Sequence, residues 1–108
     1  MYDLVIIGGG PAGVGAGVYA ARKKIKTLLI TEDFGGQSMF SPDVRNWIGS
    51  KSLTGLELAK ILEEHLLDYK DDIDVWKGDL VKKVSKKSKG FTITTKKGQK
   101  VETKTILI

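Results

Sequence analysis

The 108-residue sequence contains no cysteine, one histidine and two prolines, and aromatic residues make up only 7% of it. Without a thiol, neither a structural disulfide nor thiol chemistry can arise within these residues, which suits a reducing, cytoplasmic setting. No apolar run approaches the ~20 residues of a membrane-spanning helix, and no basic start leads into an apolar stretch. Neither a membrane anchor nor a secretion signal is therefore expected. His65 lies on a helical pattern with no nucleophile motif nearby, so it reads as a surface or partly packed residue, and no catalytic residue is assigned. The acids Glu63, Glu64, Asp71, Asp72, Asp74 and Asp79 lack calcium-loop spacing. They are expected to be solvated, and no metal site is assigned.

What is present is 41% apolar and 29% charged, the balance of one globular domain. The net charge of +5 is unevenly spread. Residues 1–76 hold eight basic and eleven acidic side chains, whereas residues 77–108 hold ten lysines against Asp79 and Glu102. That basic stretch has no arginine and only Phe91 as an aromatic, so it reads as a lysine-guarded hairpin rather than a nucleic-acid surface.

Tyr2 to Ile7 is short, apolar and β-branched and ends in glycine, which predicts a buried strand. A turn over 8–13 leads into a small-residue helix reaching about Lys24, with Pro11 suited to its first turn. Lys26 to Thr31 is a second buried strand, and the strand–helix–strand order implies parallel pairing through a right-handed crossover. Residues 32–53 read as a long loop. Thr54 to Glu57 has capping-box spacing, and Leu58, Ala59, Leu62, Leu66 and Tyr69 continue a helix to about Lys70. Ile73 to Trp76 is a third short strand, with Trp76 expected in the core. From Leu80 the pattern becomes an antiparallel meander over about 80–103, punctuated by Lys89-Gly90 and Lys97-Gly98. Thr105 to Ile108 then returns to the parallel sheet, beside strand 2–7 and opposite strand 26–31. The fold class is α/β, a Rossmann-like FAD/NAD(P)-binding parallel sheet with helices and a β-meander inserted before the last strand.

Gly8-Gly9-Gly10-Pro11-Ala12-Gly13 satisfies G-x-G-x-x-G. In such a loop the first glycine allows the tight turn, the second lets a diphosphate approach the backbone, and the third lets helix pack on strand. Glu32 follows Gly13 by nineteen residues, at the end of the second strand, where a carboxylate can accept from ribose hydroxyls. Its neighbour Asp33 competes for that role. The spacing Gly13-x-x-x-Gly17 is read as close contact of helix with sheet.

Together with this loop, Tyr19-Ala20-Ala21-Arg22, Phe34-Gly35-Gly36-Gln37, Asn46-Trp47-Ile48-Gly49 and Thr54-Gly55 resemble the thioredoxin reductase family. The spacing from Glu32 to Gln37 is also similar to the flavoprotein component of alkyl hydroperoxide reductase. The resemblance implies that residues 1–108 are the first segment of an FAD-binding domain. Gly8, Gly9, Gly10, Pro11, Ala12 and Gly13 would hold the FAD diphosphate and Glu32 the adenosine ribose. Gly36 and Gln37 would lie along the ribityl and flavin side, Asn46 near the flavin ring, and Val81 would meet the adenine through its backbone. Trp47 would either stack near the flavin or pack the loop.

Ile48 and Arg45 depart from the pattern, which has a proline and commonly an acid there. The family's NADPH-binding domain, its redox C-x-x-C pair and its C-terminal FAD segment are not among these residues. The resemblance implies, for a complete enzyme, hydride transfer from NADPH to FAD and then to a disulfide, with a thioredoxin-like protein partner and a homodimeric assembly. Two other readings stay open: a ferredoxin–NADP reductase of the thioredoxin-reductase-like type, and a stand-alone, non-catalytic dinucleotide-binding or assembly module.

Overall fold

The computed structural model describes all 108 residues. Six strands form one sheet in the order β3-β2-β1-β6-β5-β4. Strand β1 (Tyr2–Gly9) leads through helix α1 (Pro11–Arg22) to β2 (Thr27–Phe34). A 3-10 turn (Gly36–Phe40) and helix α2 (Gly55–Leu67) follow, then β3 (Asp74–Lys77), β4 (Val81–Lys87), β5 (Gly90–Thr95) and β6 (Lys100–Leu107). Pairing of β1 with β2 and β6, and of β2 with β3, is parallel; β4–β5 and β5–β6 are antiparallel. No helix is long and apolar enough to cross a membrane.

Parallel strands covered on both sides need apolar side chains on both faces, and β1 and β2 supply them. Ile6 and Leu29 face the helices, joining Val14, Val18, Leu58, Leu62 and Leu66 in the larger core cluster. Val5, Leu28 and Ile30 point the other way, into a second cluster with Ile93 of β5; Trp76, Val81 and Val101 flank it half-buried. Gly17 lets α1 approach closely: a Cβ there would stand 2.9 Å from Leu66 Cδ1 and 3.3 Å from Ile73 Cδ1.

Several boundaries differ from expectation for local reasons. Helix α1 stops at Arg22 rather than Lys24 because Lys24 adopts φ +58. The Ile25 N–H then donates to Ala20 O and the Lys24 N–H to Ala21 O, a Schellman closure. Helix α2 stops at Leu67, after which the Tyr69 and Lys70 amides bond three residues back and tighten the chain. Strand β2 runs on to Phe34, so Glu32 lies within a strand and not at its end. The loop after it is partly structured, by the 3-10 turn and by a Val44–Leu53 bridge.

The larger correction concerns the meander. Its third strand and the strand expected to return to the parallel sheet are one continuous element, β6. Thr103, fully buried, is the changeover, paired with Tyr2 on one side and Phe91 on the other.

The sheet is also rolled. Strands β3 and β4 stand at its opposite edges, yet only Gly78, Asp79 and Leu80 connect them. Such a link spans at most about 14 Å, while five strand spacings in a flat sheet need about 24 Å. The meander therefore folds back over the face of β1 and β2 that carries the second core cluster.

Candidate functional site

At the carboxyl end of β1 the chain must turn into α1, and three glycines make that turn in three ways. Gly8 adopts φ +112, which side-chain-bearing residues rarely take. A Cβ on Gly13 would collide with the carbonyl oxygen of Gly8, so that glycine seats the helix against the strand. Gly10 is different. Its φ of −76 suits any residue, and a Cβ would find only Gly36, with Cα at 3.7 Å. A methyl there would make ordinary contact and no clash, so the missing side chain serves the space beside it.

That space is a cleft of about 430 Å³ lined by Gly8, Gly10 to Gly13, Gly36, Gln37 and Ser38, with Ile6, Ile7, Leu107 and Ile108 at its base and side. No charged side chain lines it. The N-terminus of α1 enters the cleft bare: Gly10 offers no capping group and no acid stands in the first turn. Helix α2 shows the contrast. Its Thr54 hydroxyl accepts from the Glu57 amide and the Glu57 carboxylate accepts from the Thr54 amide, so its first turn is satisfied by the protein itself. The amides at the start of α1, with the positive end of the helix dipole, are free to hold an anion.

Of the residues expected to form the site, Gly8, Gly10, Pro11, Ala12, Gly13, Gly36 and Gln37 gather around this one cleft. Gly9 sits behind it: a Cβ would stand 2.8 Å from Thr31 Oγ1, and its carbonyl accepts from the Gly35 amide at 2.9 Å. Glu32 is exposed and lines a separate depression of about 220 Å³ with Gly78, Asp79, Leu80, Lys96 and Lys97. Val81 adjoins this second depression through Leu80. Asn46 is exposed and lines neither, and Trp47 packs against the helix-side core.

Ser38 and Leu107 belong to the cleft and were not singled out from sequence. For Leu107 the signal was available, since the strand beside β1 at a sheet's switch point necessarily flanks the glycine turn. Asp79, expected to be solvated, is instead 5% exposed. Burial pushes its carboxyl up, but the Thr95 hydroxyl, the Lys97 and Leu80 amides and the Lys97 charge outweigh this and hold it below its usual value.

A cleft without titratable side chains cannot move protons or attack a bond by itself; it can bind an anion by its amides and shape what lies beside it. The sequence matches the pyridine nucleotide-disulphide oxidoreductase family over residues 2–108. The chain belongs to that family. It is 38% identical to an NADH dehydrogenase of Bacillus subtilis over 107 residues, which cover 99% of this chain and 20% of that protein. It is 35% identical to an alkyl hydroperoxide reductase component of Staphylococcus epidermidis, over 99% of this chain and 21% of that one. Its fold matches the thioredoxin reductase of Lactococcus lactis with a TM-score of 0.89 at 32% identity, covering 98% of this chain and 34% of that one. The T. acidophilum thioredoxin reductase matches at 0.85 and 34% identity, over 97% of this chain and 34% of that one. The chain thus spans about a fifth of the curated relatives and about a third of these solved structures.

Proposed function

We propose that residues 1–108 are the FAD-binding segment of a flavin-dependent oxidoreductase that uses a reduced nicotinamide donor and a disulfide acceptor. The observation that carries this reading is the bare start of α1 facing a cleft at Gly10 that no charged side chain lines. A diphosphate diester fits that donor set, because amide N–H groups and a helix dipole suit a fixed anion that needs no proton transfer.

The amides of Ala12 and Gly13 would hold the diphosphate. Pro11, which has no N–H, fixes the helical turn without taking up an acceptor. Gln37, which lines the cleft, carries both a donor and an acceptor for the flavin side. Glu32 would accept from the adenosine ribose, with Val81 beside the base. Asn46 would approach the flavin ring, a role that requires the 41–50 loop to lie against the bound cofactor. When bound, FAD supplies two-electron acceptance and donation that no side chain around the cleft can provide.

Calorimetric titration with FAD tests the reading, with ADP and free riboflavin as partial ligands. Residues 1–108 alone are expected to bind FAD weakly or not at all, because the family's C-terminal FAD segment is not among them; joined to that segment they should bind FAD saturably and in competition with ADP. No FAD binding by the joined protein, or binding that ADP leaves untouched, would contradict the reading.

A further inference from the structure

The three-residue link between β3 and β4 closes the rolled sheet, and each of its residues is tied to a different place. The Gly78 N–H donates to Thr31 O at 2.9 Å and to Glu32 O at 3.1 Å, fastening the link to the end of β2. Asp79 Oδ1 accepts from the Leu80 amide at 2.9 Å and from the Lys97 amide at 3.2 Å, across a separation of 18 residues. Leu80 O accepts from the Lys96 amide at 2.8 Å. The Asp79 carboxylate, beside the Leu80–Lys96 backbone bond, therefore joins the β3–β4 link to the β5–β6 turn, and both line the depression that also contains Glu32.

Asp79 is an unusual choice for a buried link. Its Oδ2 is buried without a hydrogen bond of good geometry; the nearby Thr95 hydroxyl eases the charge, but an incompletely paired buried carboxylate oxygen is still costly. An acceptor strong enough to hold two amides from separate segments offsets that cost, since hydrogen bonds to a charged group are about twice as strong as neutral ones.

We propose that Asp79 is a positioning residue: it latches Lys97 of the β5–β6 turn to the β3–β4 link, and so shapes the depression between Glu32, the Leu80–Val81 backbone and that turn in which a purine nucleoside is held. Its ligand rests on the nucleotide reading given above; the latch itself does not. Without the carboxylate, the Gly78 contacts still hold one lip of the depression and the Lys96–Leu80 backbone bond still reaches the other, but Lys97 loses its tie to the link and the β5–β6 turn is free to shift there. The glycine cleft at α1 lies on other elements and keeps its shape.

The test compares wild-type protein with Asp79→Ala and Asp79→Asn by amide hydrogen exchange and by titration with ADP and with inorganic pyrophosphate. Exchange at the Leu80 and Lys97 amides is expected to accelerate by about tenfold in Asp79→Ala, the weight of one charge-assisted hydrogen bond. ADP affinity should fall by a similar factor while pyrophosphate affinity stays at the wild-type value. Asp79→Asn, which keeps an acceptor but no charge, should fall between, and it carries the same comparison if the alanine variant does not fold. Unchanged exchange at Leu80 and Lys97 would overturn the latch, as would equal weakening of ADP and pyrophosphate. If wild-type protein bound no ADP, the nucleotide reading would fail, and the exchange rates would still decide the latch.

Discussion

Gly10 and Gly36 face each other across the mouth of the cleft with no side chain between them: a Cβ on Gly36 would stand 3.3 Å from Gly10 Cα. The two come from different elements, the β1–α1 turn and the turn after β2, so the opening exists only because both lack side chains. Gly10 and Gly13 should consequently respond oppositely to the same substitution. Gly13→Ala drives a methyl into Gly8 O and is expected to cost about 1–3 kcal/mol of stability. Gly10→Ala should leave the unfolding midpoint close to wild type, because its φ is ordinary and a methyl would meet Gly36 only at van der Waals distance. Urea denaturation of the two variants checks the contrast.

Glu32 is expected to matter for binding and not for folding. It is exposed, and its side chain makes no hydrogen bond within the protein. Glu32→Gln should weaken FAD by about 1.5–3 kcal/mol, the range for hydrogen bonds to a charged acceptor. The melting temperature should stay unchanged, and calorimetry with a parallel thermal scan reads both.

At high pH the Tyr2–Asp74 contact makes a separate prediction. Burial, the hydrogen bond that the Tyr2 hydroxyl donates to Asp74, and the charge of that carboxylate push the phenol up to about 12. The neutral phenol is thus favoured by the fold. Its contribution to stability is fully present below the ordinary tyrosine value of about 10, and it is lost as pH rises through about 12. Ultraviolet titration should show one of the three tyrosines ionising late, and Asp74→Asn should bring that transition down.

In acid the sign reverses. The Asp79 carboxyl is lowered although burial opposes it, and the Glu57 carboxyl is lowered by the Thr54 amide and hydroxyl. Stability from each is present above the ordinary carboxylate range and disappears as pH falls through the lowered value. Thr54→Ala removes the capping hydroxyl and should cost about 1 kcal/mol at neutral pH. Thermal melts from neutral to strongly acidic pH should show the wild type losing stability more steeply than Asp79→Asn.

Much of this architecture was legible because it is written locally. The β-branched run ending at Gly8, the glycine spacing, the Thr54–Glu57 capping box and the parallel placement of β1 beside β2 all follow from short-range rules, and all are found. The continuity of β6 was hidden because Lys104 and Thr105 are both exposed and interrupt the alternation that would mark one strand. A strand that changes neighbours at Thr103 has no fixed inside and outside along its length. The burial of Asp79 was hidden for a related reason: a Gly-Asp pair reads as a solvated turn, and only the rolling of the sheet encloses it. Asn46 and Val81 rested on resemblance, and neither lines the glycine cleft.

Whether the cleft at Gly10 is where a dinucleotide's diphosphate sits can be read from flavin fluorescence while a protein that joins these residues to the family's C-terminal FAD segment, and its Gly10→Val variant, are titrated with FAD. Saturable, one-to-one binding by the unsubstituted protein and none by the valine variant is expected, with the two melting at similar temperatures. Wild-type affinity in a folded Gly10→Val protein would show that the diphosphate lies elsewhere.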